Sequence, residues 1–399
     1  MKAPTDRPRI PPAIWALGFV SMLADIGSEM VHSLLPVFLV SVAGVSMFVI
    51  GLIEGAAEAT ALIVKVFSGA LSDYMGRRKP LAVLGYGMGA VSKPLFALAS
   101  TAEMVFGARI IDRIGKGIRG APRDALIADL APSDIRGASF GLRQSLDTVG
   151  SFIGPLVAVG LMLLWANDFK AVFWVAAIPA GLSVAVLVFG VRETQAATLV
   201  KRANPIEKKN LARLPSAYWW VVAIGAALTL ARFSEAFLVL RLHQGGLALA
   251  YAPLVLVAMN VVYAIGAYPF GRLADRMRHS TLLAWGMVPL LAADVTLAWN
   301  NDWALGGAGV CLWGLHMAMT QGLLAAMIAA VAPADLRGTA YGLFNLASGV
   351  AMLIASVVAG ILWDVVGAPA SFLAGGAFGM LALMLLIVFA SRPVRLPSS

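Results

Sequence analysis

Charge is scarce in this 399-residue chain, and the scarcity argues against a soluble globular protein. Only 13% of the residues are Asp, Glu, Lys or Arg, whereas 60% are hydrophobic. A soluble domain carries about 25% charged residues. The apolar residues form long runs separated by short polar turns, and a helix crosses a bilayer with ~20 of them. Because these runs are continuous and do not alternate with polar residues, they predict membrane-spanning helices.

Other absences narrow the class of protein further. Cys311 is the only cysteine, so no intramolecular disulfide is expected. No small-residue cleavage site follows the basic N-terminus, which predicts a first transmembrane helix instead of a signal peptide. The sequence shows no Ser/His/Asp set, no zinc-binding HExxH spacing and no phosphate-binding loop, so we do not expect an enzyme.

The apolar runs predict an all-α membrane protein with twelve transmembrane helices. The predicted spans are 12–41, 46–72, 80–99, 103–127, 138–164, 170–191, 217–240, 248–272, 280–299, 303–329, 338–363 and 369–391. Basic residues gather at both chain ends and in the connectors on one side. The positive-inside rule then predicts two cytoplasmic termini in a bacterial inner (plasma) membrane. The same distribution argues against a nucleic-acid partner, despite the net charge of +9.

An internal repeat divides the chain into halves. Gly69–Asp73 recurs as Gly271–Asp275, and Leu130–Leu142 recurs as Val331–Leu343, at offsets of 202 and 201 residues. Six-helix repeats of this kind are a transporter architecture, with the substrate site between them. We therefore predict two pseudo-symmetric six-helix bundles, at 1–192 and 217–399, joined by a cytoplasmic linker at 193–216.

The first copy of the short repeat continues through Gly76, Arg77 and Arg78 to Lys79. At these residues the sequence resembles the major facilitator superfamily, and the likeness covers the whole chain. The resemblance implies a gating latch at the cytoplasmic face, in which Arg77 pairs with a carboxylate at the inner end of helix four. The residues it assigns to gating are Gly69, Asp73, Gly76, Arg77, Arg78, Asp124, Asp129, Gly271 and Asp275.

Two further motifs extend the resemblance. Gly150–Pro155 on helix five is similar to the antiporter motif of proton-driven exporters in this family, with Gly150, Gly154 and Pro155 as its members. The alternative is a generic packing motif of small residues. Arg109–Gly117 on helix four resembles a motif in which an arginine relays protons. Here Asp112 replaces its glutamine and Arg113 replaces a glycine.

Ionisable residues inside the spans are costly in lipid, so they are expected to face a cavity or a partner. Asp25 is the first candidate for proton coupling and Glu29 the second, with Arg109 or Arg113 as the expected partner of Asp25. The alternative is a static network of salt bridges between helices. The full set assigned to proton coupling is Asp25, Glu29, Glu54, Glu58, Arg109, Asp112, Arg113 and Asp147.

Polar residues elsewhere in the spans are candidates for the substrate site. They are His32, Arg143, Glu235, Asn260, Tyr263, His316, Gln321 and Asn345. A metal-exporting alternative would use Asp25, Glu29 and His32 as ligands, to which His316 with Met317 and Met319 could add softer ones. No resident metal is predicted.

These observations predict a proton-coupled exporter, that is, an antiporter working by alternating access. Its expected cargo is a small organic molecule, and its energy source is the proton gradient without any cofactor. We expect a monomer surrounded by the lipid bilayer. The alternatives are a metal-ion or siderophore exporter, a proton symporter for uptake, and a membrane enzyme or sensor.

Overall fold

The computed structural model describes residues 10–75, 77–132, 135–192, 211, 213–299, 302–333 and 336–391, with only the backbone at 70 and 73. Regular structure in these residues is helical throughout. The α-helices of the first repeat are α1 (Pro12–His32), α2 (Leu35–Ser41), α3 (Met47–Met75), α4 (Lys79–Leu98), α5 (Ala102–Leu130), α6 (Arg136–Leu164) and α7 (Phe169–Gly190). Those of the second are α8 (Ser216–Ala231), α9 (Ala236–Gln244), α10 (Leu254–Ala274), α11 (His279–Trp299), α12 (Trp303–Thr320), α13 (Leu323–Val331), α14 (Arg337–Val365) and α15 (Ala368–Ala390).

The predicted fold class is confirmed. Each predicted span coincides with one helix or with two consecutive helices, and the ends agree within six residues. Eleven helical segments in the described residues are long and apolar enough to cross a membrane. The twelfth span is α5, which has 29 residues but carries many charges. Arg109, Asp112 and Arg113 on α5 are buried, so protein and not lipid surrounds them.

Three spans are interrupted, which the sequence did not predict. The first span breaks between α1 and α2, the seventh at 232–235 between α8 and α9, and the tenth at 321–322 between α12 and α13. Gly322 adopts a φ of +78°, a left-handed conformation that glycine tolerates without a side-chain clash. Ser33 and Ser234 mark the first two breaks and are 201 residues apart, which is the offset of the sequence repeat. The repeat therefore extends to the irregular backbone.

The chain forms two compact units that differ from its sequence halves. One unit comprises 1–32 and 64–202, and the other comprises 33–63 and 203–399. The first has a buried cluster on α1, α4, α5 and α7 that includes Leu17, Tyr86, Leu126 and Leu187. Most of the predicted linker 193–216 lies outside the described residues.

In the second unit, the first part of α3 packs directly on α14. A Cβ atom placed at Gly51 would lie 2.1 Å from the carbonyl oxygen of Ser356, and one at Gly360 would lie 2.4 Å from that of Met47. Only glycine permits this approach of the two backbones. Asp364 also accepts hydrogen bonds from the backbone N–H groups of Met47 and Phe48, at 3.0 and 2.8 Å, and so caps the start of α3.

Candidate functional site

Helix α6 reaches the two carboxylates of α1 through glycines of the predicted antiporter motif. A Cβ atom at Gly150 would lie 2.5 Å from the carbonyl oxygen of Met22 and 3.1 Å from Cβ of Asp25. One at Gly154 would lie 3.0 Å from Cβ of Glu29. The glycines are one helical turn apart, as are the carboxylates, so both face the same contact between helices.

Asp25 lies in an electrostatic setting that is only partly closed to solvent. Its carboxylate Oδ1 is 3.5 Å from Nη2 of Arg119, and its side chain is 22% exposed. The guanidinium of Arg119 also lies over the ring of Tyr86, 4.5 Å from its centroid, in a cation–π contact. Lys116 and Asp147 act on Asp25 through charge. The sequence suggested Arg109 or Arg113 as its partner, whereas the structure places Arg119 there.

Glu29 and the α6 carboxylate each have a basic neighbour on the same helix. Oε2 of Glu29 is 3.5 Å from Nδ1 of His32, and the two side chains are 22% and 14% exposed. Nη1 of Arg143 donates to Oδ2 of Asp147 at 2.9 Å, one turn along α6. Exposed Lys116 of α5 also acts on Glu29 through its charge. Acidic and basic side chains therefore lie side by side in this part of the site, and they are partly accessible to solvent.

A more enclosed ion pair lies between α4 and α5. Nζ of Lys93 is 2.6 Å from Oδ1 of Asp112, and these side chains are 2% and 6% exposed. Ser92 donates to the same carboxylate oxygen at 3.1 Å, and Lys93 also donates to Ser28 of α1 at 3.2 Å. The second oxygen of Asp112 is 3.8 Å from Nε of Arg113. Asp112 is thus held by several donors, unlike the more exposed Asp25.

A polar chain continues along α5 towards α1. Nη1 of Arg123 donates to Oγ of Ser21 at 3.3 Å, and Ser21 is 3.1 Å from the hydroxyl of Tyr86. Arg123 also bonds Oδ1 of its neighbour Asp124 at 3.0 Å. Tyr86 therefore contacts Arg119 directly and is connected to Arg123 through Ser21, so it joins two successive turns of α5.

The predicted latch residues are arranged differently from the expectation. Nε of Arg78 lies 3.1 Å from Oδ2 of Asp129, in the place foreseen for Arg77. Arg77 is exposed, and Asp124 bonds Arg123. The difference arises because adjacent residues point in different directions, which a loop sequence does not specify.

The remaining gating candidates are only partly described. A Cβ atom at Gly69 would be 3.5 Å from Cβ of Ala121, so α3 and α5 pack closely there. Asp275 lies at the end of α10, where its N–H donates to the carbonyl oxygen of Gly271 at 3.3 Å. The side chain of Asp73 and all of Gly76 lie outside the described residues.

The second unit contains the other predicted residues. Glu54 is 1% exposed and Glu58 is partly buried, both on the part of α3 that packs with this unit. Arg232 and Glu235 lie in the break between α8 and α9.

The candidate substrate residues of this unit differ in exposure. His316 is fully buried between helices, with Nδ1 2.7 Å from the carbonyl oxygen of Gly286 on α11. Asn260, Tyr263 and Asn345 are partly buried, and Gln321 is exposed. His316 therefore acts as a link between helices in this conformation. Across the described residues, no three His, Cys, Asp or Glu side chains are placed to hold a metal ion together.

Sequence reasoning did not include in the proton-coupling set several residues that the structure places in the polar cluster around Asp25 and Asp112, namely Lys93, Arg119, Tyr86 and Ser21. A signal for Arg119 was present, because Asp112, Lys116, Arg119 and Arg123 recur every three or four residues and so share one face of α5. No comparable signal marks Tyr86 or Ser21, which are ordinary residues in apolar helices.

Comparison with known proteins agrees with the fold and with the repeat. The chain matches the Major Facilitator Superfamily over residues 17–254 and 242–399. It is 30% identical over 382 residues to an uncharacterized MFS-type transporter of Methanocaldococcus jannaschii, covering 94% of each chain. It is 26% identical over 388 residues to the inner membrane transport protein YajR of Escherichia coli, covering 94% of this chain and 82% of that protein.

Solved structures show the same fold. The nucleoside transporter NupG has a TM-score of 0.81 at 12% identity, covering 94% of this chain and 99% of that one. With a family match over nearly the whole chain and a membrane-spanning helical fold that agrees with it, this chain belongs to the Major Facilitator Superfamily and is a secondary transporter rather than an enzyme.

Proposed function

We propose that this transporter is a proton-coupled exporter of a small organic molecule and works by alternating access. The observation that carries the proposal is the packing of the glycines of α6 against the carboxylate-bearing turns of α1. Gly150 and Gly154 bring α6 against Asp25 and Glu29, and Asp25 remains 22% exposed beside Arg119. A generic packing motif would have no reason to coincide with both carboxylates.

The geometry supports a simple exchange at Asp25. A proton on the carboxylate would remove its negative charge and so weaken its attraction to Arg119. Arg119 would retain its contact with the ring of Tyr86, 4.5 Å away. Loss of the proton would restore the ion pair. Protonation thus changes a contact between α1 and α5, and such a change can alter the relative stability of two transporter conformations.

The distribution of charge and one relative support a proposal for the membrane and the orientation. We assign the protein to the inner membrane with both termini cytoplasmic, because basic residues gather at the ends and in the connectors of one side. The name of the YajR relative also places that protein in the inner membrane. Both six-helix repeats lie in one chain, and we propose a monomer.

A vesicle assay tests direction and coupling together. In everted membrane vesicles, respiration acidifies the interior, and acridine orange reports the pH gradient. We would add ethidium, chloramphenicol or uridine as probes of different charge. An exporter should take up an accepted probe into the everted vesicle and release protons, which restores dye fluorescence. Vesicles lacking the protein are the control.

Three results would contradict the proposal. A probe that leaves everted vesicles together with protons would indicate an uptake symporter. Probe movement that is unchanged when a protonophore collapses the gradient would exclude proton coupling. Proton release that follows divalent metal ions, but none of a broad panel of organic probes, would favour the metal-exporting alternative.

A further inference from the structure

A carboxylate outside the site described above is buried in the second unit. Asp294 on α11 is 1% exposed. Neither of its carboxylate oxygens has a hydrogen-bond partner among the residues that the structure describes. An ionised carboxylate without a partner is strongly disfavoured in such surroundings, whereas the neutral acid is tolerated.

The atoms around Asp294 disfavour a negative charge. A Cβ atom placed at Gly375 of α15 would lie 3.4 Å from Oδ2 of Asp294, 3.2 Å from the carbonyl oxygen of Ala231 and 3.0 Å from the ring of Phe233. The carboxyl group thus lies near the last residue of α8. The carbonyl end of a helix carries a partial negative charge. It can accept a hydrogen bond from a carboxylic acid, but it repels a carboxylate.

Among the described residues, no charged group is paired with Asp294. Helices α13 and α15 contain no titratable side chain. The titratable groups on the other neighbouring elements are Cys311 and His316 of α12, Tyr263, Tyr268 and Arg272 of α10, Tyr218 of α8, Arg232 and Glu235 in the break, and buried Arg241 of α9, which donates to the carbonyl oxygens of Leu297 and Ala298 on α11. Within the described part of the chain, none of them forms an ion pair or hydrogen bond with Asp294.

The sequence repeat shows what the second unit lacks. Asp294 lies 201 residues after Lys93, and Trp313 lies 201 residues after Asp112. In the first repeat, Lys93 and Asp112 neutralise each other at 2.6 Å. In the second, the position equivalent to Asp112 is a buried tryptophan, whose ring packs 5.7 Å from that of Phe233. A charged pair in one repeat therefore corresponds to a lone carboxyl group in the other.

We propose that Asp294 is a proton-binding site of the second repeat and carries its proton in this conformation. Release breaks the O–H bond, leaves the carboxylate and passes the proton to water. The resulting anion is repelled by the end of α8, so release favours a rearrangement at the 232–235 break. The protonation itself does not depend on the proposed function, whereas its link to transport rests on that proposal.

Infrared spectroscopy of the full chain in lipid tests the protonation directly. A protonated carboxyl group gives a C=O stretching band that a carboxylate lacks, and the band shifts in D2O. We expect such a band at neutral pH in the wild type and its loss in Asp294→Asn. Asp168→Asn, which alters the exposed carboxylate that caps α7, should retain the band. A band unchanged in Asp294→Asn, or one that sodium ions abolish at constant pH, would overturn the proposal.

A milder variant provides a second readout if Asp294→Asn does not fold. A Cβ atom at Gly376 would be in ordinary contact with Asp294, 3.8 Å from Oδ2, so Gly376→Ala should fold. It should shift the frequency of the band, whereas Gly160→Ala, with nothing within 4 Å, should not. Equal spectra for the two alanine variants would contradict the assignment. If Asp294→Asn loses the band but retains proton-coupled export, Asp294 is protonated but is not needed for coupling. The Asp25 site would then be sufficient for coupling, so the two proposals can be tested separately.

Discussion

Lys93 and Asp112 form an ion pair with almost no access to solvent, at 2% and 6% exposure. Removing one member of such a pair leaves an uncompensated buried charge and costs about 3–5 kcal/mol, whereas replacing both members with apolar residues is often tolerated. We therefore expect Lys93→Met to lower the free energy of unfolding by about 3 kcal/mol or more. The measurement is an SDS titration followed by tryptophan fluorescence.

The double variant Lys93→Met/Asp112→Leu is the matched control for this pair. It should recover at least half of the lost stability, because no buried charge of the pair remains. The contrary outcome is a loss of stability in the double variant that equals the sum of the losses in Lys93→Met alone and Asp112→Leu alone. In that case the ion pair is not what stabilises the contact between α4 and α5. Ser28 and Ser92, which also bond to the pair, would then need to be tested.

Asp25 is the residue on which the proposed coupling depends. Asp25→Asn keeps the size of the side chain but cannot exchange a proton, so we expect substrate-induced proton release to disappear in everted vesicles. Asp168→Asn removes a carboxylate of the same type at the N-terminus of α7, where asparagine caps equally well. It should leave proton release unchanged. Normal release in Asp25→Asn would place coupling elsewhere.

At the residue scale, the sequence predicted which charged side chains would lie beside other protein groups better than it predicted which groups these would be. Asp25, Arg109, Asp112 and Arg113 were recognised because a charge in an apolar span needs a special environment. The partner of Asp25 was not, since a sequence does not specify how far one helix is displaced along its axis relative to another. Arg119 lies six residues, or nearly two turns, beyond Arg113, and this displacement decides which arginine lies level with Asp25 of α1.

At the scale of the element, α6 offers a direct test of its packing motif. Gly150→Ala would place a methyl group 2.5 Å from the carbonyl oxygen of Met22, a backbone atom that cannot move alone. We expect a loss of about 1–3 kcal/mol in stability from overpacking. The same SDS titration measures it.

Gly160→Ala is the control on the same helix. Nothing lies within 4 Å of its added methyl group, and alanine is the better helix former by ~1 kcal/mol at most. Its stability should be equal to or greater than that of the wild type. Equal stability of the Gly150 and Gly160 variants would show that the close approach of α6 to α1 is not required.

The elements themselves were predictable because their signal is strong and local. Twenty or so apolar residues define a span whatever its neighbours are. The interruptions at 33–34 and 232–235 were not predictable, because no proline occupies these positions and serine is common in membrane helices. There, tertiary contacts such as the bond from the N–H of Ser234 to Oγ of Ser356, at 3.2 Å, accompany the irregular backbone.

At the scale of the whole molecule, the compact units and the sequence repeats divide the chain at different points. Residues 33–63 belong to the first repeat but pack with the second, and close contacts of α3 with α14 contribute to this packing. The sequence could show the repeat, because matching motifs persist in it. It could not show which segments of one repeat rest on the other, because that depends on the conformation and not on the repeat itself.

The contact between α3 and α14 should open if the transporter alternates between conformations. Asp364 stabilises the closed contact by capping α3 with two hydrogen bonds, at 3.0 and 2.8 Å. Loss of a cap costs ~1 kcal/mol, which is a factor of about five in an equilibrium. In a Cys311→Ser background, Ala59→Cys reports opening, because Ala59 is 5% exposed and lies against Gly349 of α14. We expect Asp364→Ala to raise the rate of maleimide labelling about fivefold.

A reporter in the other unit makes the result specific. Ala180→Cys on α7 is 3% exposed and packs against Gly27 of α1, far along the chain from Asp364. Its labelling should not respond to Asp364→Ala, because the cap does not contribute to the packing of α1 on α7. If both reporters become reactive together, the variant has loosened the whole protein. If neither does, the cap does not control opening. Only the selective response is expected from a molecule in which one contact between repeats opens while each helical core stays intact.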